Sequence, residues 1–107
     1  MAWSYNPAQL GTSTEAERIN SVRLLLGDTD TSDQQVQNEE IVFGLGQTSD
    51  NIYYAAAWSA RVVSAKYSRK VTTSLDGALK ADYSDLATHY SSLAETLEYQ
   101  GKKAGGG

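Results

Sequence analysis

At 107 residues the chain is one domain's worth of protein, able to bury roughly 65% of the surface its unfolded form exposes and too short for a second ordinary domain. A composition 40% hydrophobic and 21% charged with a single Pro argues for a folded chain, and no apolar run approaches the length of a membrane-spanning helix. The absence of Cys excludes disulfides, thiolate metal sites and cysteine nucleophiles, and a net charge of −4 weighs against an autonomous DNA-binding domain, whose affinity rests on Lys and Arg.

Residues 1–13 hold Trp3, Tyr5 and Pro7 without periodicity and read as an extended arm. Its two aromatics are candidate partner anchors, and a frayed terminus or a tail folded back on its own domain together make an equal alternative. The arm has neither a basic start nor an apolar stretch, so no secretory signal is expected.

The helical domain is expected over 14–100. Its first helix runs from Thr14 to Leu26, with Thr14-Glu15-Ala16-Glu17 as a capping box. Ile19, Val22, Leu25 and Leu26 form its apolar stripe, Arg18 and Arg23 fall outside that stripe, and Gly27 is the stop. A polar loop leads to a short second helix, Asn38 to Leu45, with Asn38 as cap and Ile41, Val42 and Leu45 facing inward. Asp50 caps a third helix, Asn51 to Ser68, whose Ala- and Ser-rich face lets other helices approach closely and places it at the centre.

The period then changes. Lys70–Leu75 and Ala78–Tyr83 flank Asp76-Gly77, the dipeptide favoured in a type I′ turn, so a β-hairpin is expected over about 70–83. Such a ribbon needs a partner, from its own chain or from a neighbour. A fourth helix, Ser84 to Gln100, carries Leu86, Tyr90, Leu93 and Leu97, and Gly101 ends it. Residues 101–107 read as a flexible tail, basic and then Gly-only. The expected fold is mainly α, a small four-helix domain with one β-hairpin between helices 3 and 4.

The order of these signals resembles the head-to-tail adaptor (head completion, or connector) proteins of tailed bacteriophages. The likeness spans Thr14 to Tyr99. It is carried by Arg23-Leu24-Leu25-Leu26-Gly27-Asp28-Thr29-Asp30, by Asn38-Glu39-Glu40-Ile41, by Tyr53-Tyr54-Ala55-Ala56-Ala57 with Ala65-Lys66-Tyr67, and by Tyr83-Ser84-Asp85-Leu86-Ala87-Thr88-His89-Tyr90. The resemblance implies a non-enzymatic virion component, made in the host cytoplasm and placed in the neck. It implies a homo-oligomeric ring, typically of twelve copies, beneath the portal protein. That ring extends the channel for genome packaging and ejection and is the platform for the stopper or tail-completion protein. DNA passes through its lumen without sequence-specific binding, and no membrane is involved. By the same resemblance Glu98, Tyr99, Lys102 and Lys103 are candidates for portal docking, and the hairpin residues Val71, Leu75, Asp76, Gly77 and Leu79 for tail-side or neighbour contact.

The charges fit a ring. Asp28, Asp30, Asp33, Glu39, Glu40 and Asp50 lie between Arg23 and Arg61 with no base among them, and Arg61, Lys66, Arg69 and Lys70 follow before the next acid. Opposite charge blocks on one chain suit the heterologous interface of a head-to-tail ring. These residues, Asp50 apart, are the subunit-interface candidates, with Trp3, Tyr5 and Trp58 as aromatic anchors.

Other chemistries are weaker. Asp28-x-Asp30-x-Ser32 with Glu39 at the twelfth position has the skeleton of a calcium loop, but Asp33 stands where the turn wants Gly, and a solvated acidic turn accounts for the same residues. Gly44-x-Gly46 lacks the preceding strand and third Gly of a dinucleotide motif. His89 near Asp85 lacks a nucleophile elbow, so neither catalysis nor a cofactor is expected. A stopper or terminator protein of the same neck is the alternative reading, and a small calcium-binding interaction module a more distant one.

Overall fold

The computed structural model describes residues 2–105. Four helices form in chain order: α1 (Glu15–Leu26), α2 (Asn38–Gln47), α3 (Ile52–Thr73) and α4 (Gly77–Gly105). α3 is the hub. α4 packs antiparallel along most of its length, and α1 and α2 pack against it and against each other. The molecule measures 45 × 29 × 20 Å, its long dimension close to the roughly 43 Å of a 29-residue helix. No described helix is long and apolar enough to cross a membrane.

The ends of α1 follow from side-chain chemistry. Thr14 accepts from the Glu17 N–H at 3.1 Å, and Glu17 reaches back to the Ser13 N–H at 3.0 Å. Gly27 takes the left-handed conformation at φ 83°, letting its own N–H and that of Asp28 close on the Arg23 carbonyl. Gln37, rather than Asn38, is the cap of α2, its N–H held by Glu40 at 2.9 Å. Asn51, rather than Asp50, caps α3, accepting from the Tyr53 and Tyr54 N–H groups.

The β-hairpin expected between helices 3 and 4 does not form. Among the described residues there is no strand, and α3 and α4 meet in a three-residue connection, Ser74 to Asp76. Asp76 is a helix cap: its carboxylate accepts from Ala78 N–H at 2.9 Å and Leu79 N–H at 3.1 Å. Asp-Gly serves equally as an I′ turn and as a helix start, because Asp satisfies the free N–H groups of a first turn. The residues beyond it decide. Ala78, Leu79, Lys80 and Ala81 are strong helix formers and lack the alternation a ribbon requires. Val71, Leu75, Asp76, Gly77 and Leu79 therefore sit at the tip of a helical hairpin.

α4 also runs past Gly101 to Gly105, so the expected tail is helical over 101–105, while Gly106 and Gly107 lie outside the described residues. Gly101 is a point of close approach: a Cβ there would lie 2.9 Å from that of Tyr53 on α3. The core fills the space around α3 with Val22, Leu26, Val36, Ile41, Leu45, Ala55, Ala56, Ala60, Val63, Ala94 and Leu97.

Candidate functional site

The most elaborate polar arrangement is buried. Arg23, expected outside the apolar stripe of α1, has no exposed surface, and neither does the side chain of its partner Asp28. Arg23 Nε donates to the Ser4 carbonyl at 2.8 Å, Nη1 to Asp28 at 2.5 Å and to the Val36 carbonyl at 2.9 Å, and Nη2 to Asn38 Oδ1 at 2.7 Å. Asp28 also accepts from the Gln35 and Val36 N–H groups at 3.0 and 3.1 Å. Burial pushes the guanidinium below the usual arginine range, and the Asp28 charge opposes that shift. The pair joins four segments: arm, α1, the loop before α2, and the start of α2.

The arm closes over this pair. The Trp3 ring lies 4.6 Å from the Arg23 guanidinium carbon, and its indole N–H sits 3.3 Å from both Asp28 oxygens. Ala2 accepts from the Asn38 N–H and donates to Glu39. Asn6 and Gln9 bond to Asn20, and Gly11 exchanges two bonds with Ser21. Trp3 is thus anchored on its own chain, and Tyr5 is half-buried in the same arm. The sequence signal missed here was Arg23 itself, a lone cation inside a Leu-rich helix end with an acid just past the Gly stop.

The charge blocks are partly consumed within the chain. Glu40 pairs with Lys66 at 3.2 Å and Arg61 with Glu98. Asp28 is engaged as described, and Glu39 holds the arm. Asp30 accepts from the Ser32 hydroxyl and N–H, which hold its carboxyl below the usual range. Asp33 accepts from the Gln35 amide. Among the described residues Arg69 and Lys70 have no carboxylate within 4 Å. Lys70 lies instead over the Tyr67 and Tyr83 rings, at 5.1 and 5.4 Å. Tyr67 stacks between Tyr83 and Tyr90, binding α3 to α4, and its hydroxyl donates to Gln35 at 2.8 Å.

No protein-family model, curated protein or solved structure matches the chain. The ends of the α3/α4 pair differ in chemistry. At the tip Leu75 is fully exposed and Leu79 is 42% exposed. At the other end Tyr99, Lys102 and Lys103 are exposed, with the Lys103 ammonium over the Tyr99 ring at 5.3 Å. On the flank, Trp58 lies against Phe43 with ring centres 5.6 Å apart, and Phe43 is 58% exposed. The calcium-loop skeleton loses its first position, because both Asp28 oxygens are engaged by Arg23, Trp3 and backbone N–H groups.

Proposed function

We propose that this chain is a structural component of a tailed-phage neck, a head-to-tail adaptor. Copies form a ring beneath the portal that extends the DNA channel and receives the stopper or tail. The observation that carries the reading is the layout of α4. The helix α4, with the short connection before it, sets an exposed apolar tip, Leu75 and Leu79, apart from a basic aromatic end, with Leu79 roughly 30 Å from Tyr99 and roughly 36 Å from Lys103 along the axis. A connector between two unlike partners needs unlike chemistry at opposite ends of a stiff body. The segments that carry the family resemblance are also those that build the fold: Arg23–Asp30 forms the C-terminal cap and ion pair of α1, and Tyr83–Tyr90 supplies two rings of the aromatic stack that joins α4 to α3. A net charge of −4 suits a channel wall that must not grip phosphate. The helical architecture fits an adaptor better than a stopper or terminator, which usually carries more β structure.

Mass measurement of a mixture of portal and this chain tests the proposal. A portal complex carrying a fixed number of copies is the expected result. Failure to co-assemble at any salt concentration sinks it.

A further inference from the structure

The charge blocks that the sequence offers for subunit pairing are largely spent on internal contacts, and a different pair of surfaces is left unsatisfied. α3 from Arg61 to Thr73 carries four bases and no acid, while α4 from Ala81 to Gly101 carries four acids and no Lys or Arg. These helices pack side by side, yet Arg61–Glu98 is their one cross-helix ion pair among the described residues. Arg69 and Lys70 find no carboxylate, and Asp82, Asp85 and Glu95 find no cation.

The unpaired groups lie in rows. Trp58, Val62, Ala65 and Arg69 follow one another at spacings of four, three and four, a single line along α3 that is half-buried at Trp58 and Val62 and exposed at Ala65 and Arg69. Asp85, Thr88, Ser92, Glu95 and Tyr99 form an equivalent line on α4, exposed at every position. Trp58 to Arg69 spans roughly 16 Å and Asp85 to Glu95 roughly 15 Å. The α3 row is also built to be presented. A Cβ at Gly44 would lie 2.6 Å from the Trp58 ring, so that ring rests on the bare backbone of α2 and Phe43 is turned outward beside it. An exposed Phe43 beside a half-buried Trp58, on a row that ends in an arginine, has the composition of an interface.

We infer that the α3 row from Trp58 to Arg69, with Phe43 of α2 beside it, docks on the acidic α4 row of a second copy of this chain. Arg69 meets Asp85, and Trp58 falls near Glu95 and Tyr99 when the two helices run antiparallel. Two different patches meet, so the contact is heterologous and propagates from copy to copy. The inference rests on the ring reading for its closure, whereas the contact itself is testable alone.

The test uses full-length protein, with sedimentation velocity and native mass spectrometry across concentration and salt, and circular dichroism to verify folding. The wild type is expected to self-associate, more weakly at high salt. Arg69→Glu and Asp85→Arg, both on exposed helix surface, each weaken association by about tenfold or more. An equimolar mixture of the two variants restores it, because every contact in an alternating assembly is again complementary. Arg69→Gln and Asp85→Asn replace any reversal that fails to fold, and each is expected to weaken association in the same direction. A wild type that stays monomeric at millimolar concentration, variants that associate normally, or a mixture that fails to recover overturns the inference. A ring of fixed number that survives both reversals discards this contact and keeps the ring. Restoration by mixing into open-ended chains keeps the contact and discards the ring.

Discussion

Trp3 roofs the Arg23 guanidinium, its ring centre 4.6 Å away, so the third residue of the chain closes over a charge on the first helix. The arm is attached mainly by polar bonds, with Pro7, Ala8 and Leu10 exposed. Ser4 and Trp3 tie its first residues to the ion pair beneath, and the arm in turn covers that pair.

Removing one member of that pair should be severe. Asp28→Ala leaves a buried guanidinium without its counter-charge and frees two loop N–H groups. The expected cost is about 3–5 kcal/mol. Replacing both residues, as in Arg23→Met with Asp28→Leu, should cost less than Asp28→Ala alone, since no buried charge is stranded. Urea denaturation of the three proteins checks the order, and a double variant less stable than the single one contradicts it.

Glu39 gives the arm a pH dependence. Bonds from the Ala2 N–H hold its carboxyl below the usual glutamate range. A depressed folded-state value means that the contribution is complete above the ordinary glutamate pKa and is lost as pH falls through the lower folded one. Acidification through that window should release the arm's first residues before the helices melt. Trp3 emission reports the release, read in a Trp58→Phe background so that it is the only indole. Glu39→Gln should abolish the acid-dependent step.

Much of the fold was legible because caps and periodicity agreed. Thr14 and Gly27 bound α1 within a residue, and the Ala-rich face of α3 marked the hub. Two misreadings have physical causes. Arg23 lies on the same helical face as Ile19, Val22 and Leu26, but its charge argues for solvent, and only the packing of Trp3 and Asp28 makes its burial tolerable. Gly101 reads as a stop, but in the folded chain it lets α4 pass close to Tyr53. Of the interface candidates, the sequence showed the charges but not which are consumed internally, since the Glu40–Lys66 and Arg61–Glu98 pairs join residues 26 and 37 positions apart.

Gly77 separates the helical hairpin from a β-hairpin by the sign of one effect. Its φ is not positive, and a Cβ there meets nothing within 4 Å. Gly77→Ala should therefore stabilise the protein by about 0.5–1 kcal/mol, through helix propensity and lower unfolded-state entropy. At the same position of a type I′ turn, the substitution would destabilise. Asp76→Ala should cost about 1 kcal/mol by loss of the cap. Thermal melts of both variants give the two signs, and a destabilised Gly77→Ala would argue for the ribbon.

Gly44 is the converse case, a helical glycine that cannot be improved. Alanine would gain helix propensity of about 1 kcal/mol at an interior position. Its Cβ would, however, strike Trp58 Cε3 at 2.6 Å and Cζ3 at 3.2 Å, both on a rigid ring that cannot fold aside. The ring must lift from α2, and overpacking of this kind costs about 1–3 kcal/mol, which outweighs the propensity gain. Gly44→Ala should thus lower the melting temperature and red-shift the Trp58 emission, read in a Trp3→Phe background. In the double variant Gly44→Ala with Trp58→Leu the clash is gone, and the alanine should become neutral or stabilising. A penalty that persists without the indole would show that the contact with Trp58 is not its cause.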